Sequence, residues 1–351
     1  MQRTRTLRAD ASRRAADVRC CRAVGYIVML KMERFWLSSA GRATRNAERQ
    51  TGERDRERMA QHAEEVARGE RFEFGANWTR FLAHLDDTRI AEAERSLQTM
   101  LGVSTLAGLR FLDVGSGSGL FSLAARRLGA VVHSFDYDPA SVACTRELRR
   151  RYFPDDSGWL VEEGSVLDPA FLATLGQHDI VYSWGVLHHT GRMWEALGNV
   201  APLVVPDGQL FVSIYNRQVY WSSFYTRVKH AYVRVPTVGK ILIGGAYIGG
   251  QVVKGAIKDV LFLRDPLKRY RDKHKSRGMS TWHDWIDWVG GYPFEVASPE
   301  EIFRFFRSRG FAMRELVTCA PGHGCNEYVF VREHAMTPTH PDSPAAASAV
   351  R

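Results

Sequence analysis

A chain of 351 residues with 45% hydrophobic content can bury a substantial core, which excludes a wholly disordered tail or a fibrous repeat. Its five cysteines (Cys20, Cys21, Cys144, Cys319 and Cys325) show no C-x-x-C pairing, which argues against a disulfide scaffold and for reduced thiols in a cytoplasmic setting. The net charge of +9 is uneven. Residues 1–58 hold 15 basic and 7 acidic side chains, 227–277 hold 13 and 3, and the remainder is net acidic, so the two basic segments carry any attraction to anionic partners.

Residues 1–58 are Arg-rich and lack periodicity. The apolar patch Ala23–Leu30 is too short to span a bilayer, and no small-residue cleavage site follows it. This segment reads as a basic, disordered extension. From 59 to 104 the pattern is helical, with Glu94, Leu97 and Leu101 at the spacing of a half-buried helix. The aromatic and glycine run Phe72–Trp78 is expected to interrupt it.

Residues 105–218 alternate strand and helix, as in a doubly wound parallel sheet. The first strand, Leu109–Val114, runs into Gly115-Ser116-Gly117-Ser118-Gly119 and then a helix. Glycines permit a sharp turn and a close ligand approach, and the helix N-terminus offers unpaired N–H groups. The second strand, Val131–Asp136, ends in an acid 21 residues after Gly115. A carboxylate there can accept from both hydroxyls of a ribose. A third strand leads to Gly164-Ser165-Val166. A fourth, from Asp179 through Ser183 and Trp184, ends in the loop Leu187-His188-His189-Thr190. A fifth spans Pro206–Asn216. The vicinal histidines lack metal-ligand spacing, and no metal site is expected.

The order and spacing of these blocks resemble the class I S-adenosylmethionine (SAM)-dependent methyltransferases, and within them the ubiquinone-type and other small-molecule O-methyltransferases. The spacing G-x-G-x-G, with Asp113 two residues ahead, is similar to their first motif rather than to the dinucleotide pattern G-x-G-x-x-G. The resemblance implies SAM as cofactor. It implies that Asp113 and the loop Gly115, Ser116, Gly117 and Gly119 hold the methionine moiety. It places Asp136 on the ribose, Ser165 and Val166 at the adenine, and Tyr137, Ser183 and Trp184 around the adenosine and methyl. The family often carries Asp where this chain has Ser165. It also implies a Rossmann-like seven-stranded sheet with a C-terminal antiparallel hairpin, and an N-terminal segment that either folds over the site as a lid or packs on the sheet.

An insertion, 219–297, follows the fifth strand at the ligand-binding edge. Within 235–263, Lys240, Gly244, Tyr247, Gln251, Lys254 and Lys258 fall on one narrow helical stripe, with apolar residues elsewhere. A peripheral membrane contact and a helix pair packed on the core are the two readings. Further on, three tryptophans accompany His283, Asp284 and Asp287, and His283 with Asp287 stand i,i+4. Candidate bases for an acceptor hydroxyl are His188, His189 and His283, with His323 behind them. Residues 298–334 supply a helix capped by Ser298 with Glu301, then the hairpin. The tail 335–351 is rich in Pro, Ala and Ser and reads as disordered.

The expected function is methyl transfer to a small, hydroxylated, lipophilic acceptor. RNA methylation is the alternative suggested by the basic segments, without a recognisable RNA-binding module to support it. A non-catalytic SAM-binding or adaptor protein is the other.

Overall fold

A computed structural model describes residues 56–57, 59–83, 85–218, 221–261, 288–319 and 324–334. The chain divides into two compact units, Met1–Arg58 and Met59–Arg351, and nearly all described residues belong to the second. The expectations for 1–55, for the tail, for His283 with Asp284 and Asp287, and for His323 lie outside the described residues.

The elements run α1 (59–67), α2 (Gly75–Leu82), α3 (Asp87–Leu101), β1 (Arg110–Val114), α4 (Leu120–Arg127), β2 (Val131–Asp136), α5 (Pro139–Tyr152), β3 (Trp159–Glu163) and α6 (Pro169–Leu175). Then come β4 (His178–Trp184), α7 (Met193–Val200), β5 (Val204–Tyr215), α8 (Trp221–Arg234), α9 (Thr237–Leu261), α10 (Pro299–Arg307), β6 (Phe311–Val317) and β7 (Cys325–Arg332). The strands form one seven-stranded sheet in the order β3-β2-β1-β4-β5-β7-β6. Strands β1 to β5 are parallel, and β7 runs antiparallel to both β5 and β6. This is the Rossmann-like fold with a C-terminal hairpin that the motif order implied.

The central strand explains the architecture. Phe111, Leu112, Asp113 and Val114 are all buried, so β1 is covered on both faces. Leu112 and Val114 join Val181, Val212, Ile302 and Phe306 in the core under α6, α7 and α10. Phe111 joins Ile180, Tyr182, Phe211 and Leu97 in the core under α3, α4 and α5. Local chemistry sets the helix starts. Asp138 and Asp168 cap α5 and α6, each followed by proline at the first helical position. Ser298 and Glu301 form the reciprocal capping box of α10 that the sequence predicts.

Two local expectations change. The break at Phe72–Trp78 is shorter than the composition suggests, because α2 begins at Gly75. Its first N–H is satisfied from another element: Gly75 N donates to Asp138 Oδ2 at 2.7 Å. The second change concerns α9. Its Tyr247 stacks on Trp288 with centroids 4.8 Å apart, and Gly244 lies near Tyr232, so this part of the polar stripe faces the protein. Val238, Ile241, Leu242, Val253 and Ile257 are more than half exposed instead. No helix among the described residues is long and apolar enough to cross a membrane.

Candidate active site

The carboxyl ends of β1, β2, β4 and β5 converge at one edge of the sheet, where the strand order reverses between β1 and β4. The loop after β1 turns through three left-handed glycines, with φ of 80° at Gly115, 54° at Gly117 and 79° at Gly119. A Cβ on Gly115 would fall 2.4 Å from a Val186 methyl, and one on Gly117 would fall 3.1 Å from the Trp78 indole. The glycine loop therefore lies tight beneath the loop after β4 and beneath α2. Ser116 is buried and its hydroxyl pairs with Thr145 Oγ1 at 2.9 Å.

Asp136 sits at the tip of β2 and is half-buried. Its Oδ2 accepts from Gly117 N at 2.8 Å and its Oδ1 from Asp138 N at 2.9 Å. Each carboxylate oxygen has a second lone pair to offer. Burial pushes this carboxyl up to about 6; the backbone donors oppose the shift and the Asp138 carboxylate adds to it.

Asp113, expected on the methionine moiety, faces inward. It is 2% exposed and its carboxylate accepts from Ser122 Oγ. Ser122 continues to Ser134 Oγ, which accepts from Trp159 Nε1 at 2.9 Å. Asp113 thus pins α4 and β2 beneath the glycine loop, and burial pushes its carboxyl up to about 7. Ser165, Val166 and Ser183 are also committed locally. Ser165 Oγ accepts from Leu167 N at 3.1 Å, the Val166 side chain packs in the core, and Ser183 Oγ donates to the Val114 carbonyl at 2.9 Å. Asp168 is spent on capping α6. Gly115, Gly117, Asp136, Tyr137, Ser165 and Trp184 keep partial exposure.

The N-terminal helices lie across this edge. Arg71 links three partners: Nε donates to Glu65 Oε2 at 2.9 Å, Nη1 donates to the His189 carbonyl at 3.2 Å, and the guanidinium stands 4.9 Å from the Tyr137 ring centroid. The Tyr137 hydroxyl donates to the same Glu65 at 3.2 Å. Burial and the Glu65 charge push that hydroxyl up to about 12. Sequence reasoning missed Arg71, Glu65 and Trp78; a charged pair six residues apart in a helical stretch carries no distinctive signature.

The two histidines of the fourth loop are inside the protein. His188 is 0% exposed and its ring lies 4.2 Å from that of Tyr215. His189 Nδ1 stands 2.6 Å from the Pro293 carbonyl, which makes that nitrogen the donor and leaves Nε2 with the lone pair. Burial pushes His189 down to about 3 and holds His188 well below the usual imidazole range, helped by the charge of Lys229 in both cases. Both rings are neutral at physiological pH and are very weak bases. His188, expected as a candidate base, is completely buried.

Lys229, unnoticed in the sequence, is the other charge at this edge. It projects from α8 and is 0% exposed. Its Nζ stands 4.2 Å from the Trp288 centroid, 4.6 Å from that of Phe294 and 5.8 Å from that of Tyr215. The same three rings, with Tyr225, Asn216, Gln218 and Ser222, line a pocket beside the end of β5. A lysine at helical spacing from Tyr225, Tyr232 and Val233 stands on an apolar face, and that was the signal available.

Residues 85–315 match the model of the methyltransferase domain family. The ubiquinone biosynthesis O-methyltransferase of Rhodopseudomonas palustris (strain HaA2) is 30% identical over 144 residues, covering 41% of this chain and 52% of that protein. The protein of the same name from Bradyrhizobium sp. (strain ORS 278) is 30% identical over 145 residues, with the same coverage. The chain therefore spans about half the length of these curated relatives. Among solved structures, magnesium protoporphyrin IX methyltransferase from Synechocystis PCC 6803 aligns with a TM-score of 0.42 at 14% identity, covering 70% of this chain and 84% of that one. The N-methyltransferase NodS of Bradyrhizobium japonicum WM9 aligns at 0.42 and 13%, covering 75% and 100%. The family match takes in the glycine loop, Asp136, the histidine loop and Lys229, and the chain belongs to the methyltransferase domain family.

Proposed function

We propose that this chain transfers the methyl group of SAM to a hydroxyl of a small, lipophilic acceptor. The observation that carries the reading is the aromatic pocket of Tyr215, Tyr225, Trp288 and Phe294 beside the loop of His188 and His189. Aromatic walls with a few polar groups suit a planar, largely apolar molecule, for which this cleft, now of about 10 Å³, would have to open. The O-methyltransferase names of the curated relatives favour oxygen as the receiving atom.

The residues present fit the donor. The glycine loop leaves no room for a Cβ at 115, and the Asp136 carboxylate, on a partly exposed residue, has lone pairs left to accept from ribose hydroxyls. Tyr137 and Trp184 would flank the adenosine, and the loop from Gly115 to Gly119 would hold the methionine end. SAM supplies an electrophilic methyl on a sulfonium. The protein has to align the acceptor oxygen with that carbon, exclude water and keep the oxygen deprotonated or readily so. Arg71, Glu65 and Trp78, which lie across the glycine loop and Tyr137, would do the excluding.

The insertion supports a further element, a peripheral membrane contact through 235–263. Ile241 and Leu242 are 68% and 67% exposed on the outward face of α9, in a segment of basic excess. A lipophilic acceptor partitions into a bilayer, and a helix resting at the interface would shorten its path to the pocket.

Isothermal titration with SAM, run beside Asp136→Ala, tests the donor site. Saturable binding by the wild type and its loss in the variant are expected. Methyl transfer from radiolabelled SAM to a panel of phenols and quinols tests the acceptor. A folded wild type that binds SAM and methylates amines but none of the hydroxylated acceptors would overturn the reading.

A further inference from the structure

The loop after β4 closes over the glycine loop, since Val186 within it lies against Gly115. Its own residues do little to hold it there. Leu187–His189 form a single 3-10 turn, in which His189 N donates to the Val186 carbonyl at 2.8 Å. Helix α7 follows at once, and Arg192 ahead of it provides no side-chain cap. The first N–H groups of a helix have no partner within it and need one from outside.

That partner comes from the far end of the insertion. Glu295 Oε2 accepts from Met193 N at 2.9 Å, across 102 positions of sequence, and the Gly191 amide stabilises the same carboxylate. The Glu295 amide donates to the His188 carbonyl at 3.0 Å. The Pro293 carbonyl engages His189 Nδ1 at 2.6 Å. Residues 290–297 are anchored in turn on both sides. The Tyr292 carbonyl accepts from Phe72 N at 2.9 Å, and Ala297 N donates to the Tyr215 carbonyl at 3.0 Å. A Cβ on Gly290 would fall 2.3 Å from the Phe72 ring, so the strap passes tight against the N-terminal segment.

Resting on the donor site placed above, we propose that Glu295 is a positioning residue for SAM: through its hold on residues 188–193 it keeps Val186 against the glycine loop. A carboxylate that accepts from backbone amides makes charge-assisted bonds, stronger than those of a neutral acceptor. Burial pushes this half-buried carboxyl up, and the Met193 and Gly191 amides oppose the shift. The residues it holds follow directly on Val186. Arg71 grips the same loop from the other side, at the His189 carbonyl, so loss of Glu295 loosens the loop without freeing it.

Titration of the full chain with SAM, well below the unfolding temperature, tests the assignment. Glu295→Ala should weaken SAM binding about tenfold. Glu295→Gln keeps one accepting oxygen and should lose no more than about threefold. A helix cap serving stability alone would lower the unfolding midpoint and leave the SAM affinity of the folded variant unchanged. Hydrogen exchange in the wild type supplies a measurement that needs no variant: SAM should slow the amides of 186–193 and of 290–297 together. Unchanged SAM affinity in folded Glu295→Ala, an equal loss in Glu295→Gln, or slowing of 186–193 with none over 290–297 overturns the proposal. If Asp136→Ala still loses SAM binding under those outcomes, the donor site stands without Glu295. A folded wild type that does not bind SAM removes the donor site, and this role with it.

Discussion

At the scale of single residues, the site separates two aspartates that look alike in sequence. Asp136 faces the crevice and must be ionised to accept from both ribose hydroxyls. Its carboxyl is raised to about 6, so SAM affinity should fall as pH drops through about 6 rather than through 4. Titrations at pH 7.5, 6 and 5 check this, and an affinity flat down to pH 5 would refute it. Asp113 faces the core. Because its carboxyl is raised to about 7 by burial, its stabilising contribution is complete well below pH 4 and is lost as pH rises through about 7. Asp113→Asn, neutral at every pH, should therefore gain relative to wild type between pH 5 and pH 8. The gain should be on the order of 1 kcal/mol in urea unfolding. Both residues were legible as motif acids, but their orientations were not. Which side of a strand tip a carboxylate occupies depends on neighbours such as Ser122 and Gly117 that the motif does not encode.

At the scale of elements, strands and caps were readable because their causes are local. The apolar runs of β1 and β4 and the Ser298–Glu301 box lie within a few residues of the structure they cause. What failed depended on distant partners. The start of α2 at Gly75 is fixed by Asp138, 63 residues away, and α9 is oriented by Trp288. The N-terminal helices are joined to the site through Arg71, which bridges Glu65, Tyr137 and the His189 carbonyl. Removing it leaves Glu65 and the Tyr137 hydroxyl paired without their cation. Arg71→Ala should weaken SAM binding about tenfold, corresponding to roughly 1.4 kcal/mol, with a smaller change in thermal stability. Equal SAM affinity in variant and wild type would show that these helices pack on the sheet without serving the donor. On α9, the outward apolar face predicts binding to vesicles of anionic lipid that declines with added salt. Ile241→Glu with Leu242→Glu should reduce it severalfold without altering SAM affinity. Sedimentation with vesicles measures it, and equal partition of variant and wild type would remove α9 from the contact.

At the scale of the whole molecule, the site exists because the strand order reverses between β1 and β4, bringing two loops about 70 residues apart into one seam. The topology was legible from the alternation of strands and helices alone, since right-handed crossovers leave few ways to wind such a sheet. The closeness of the seam was not. Gly115 combines a left-handed φ of 80° with a gap too small for a methyl, because Val186 occupies the space. These are separate penalties, and they can be separated by experiment. Gly115→Ala should cost about 1–3 kcal/mol of stability from backbone strain, with a further steric cost from Val186. Val186→Ala removes the obstructing methyls and should be mildly destabilising by itself. In the double variant the steric part should be recovered and the strain should remain, giving a coupling energy of about 0.5–3 kcal/mol. SAM affinity should follow the same pattern if both loops hold one ligand. Additive effects on stability would mean that the loops are independent and that Gly115 is required for its conformation alone. Recovery of stability without recovery of binding would mean that the backbone of this turn, rather than its fit against Val186, is what the donor reads.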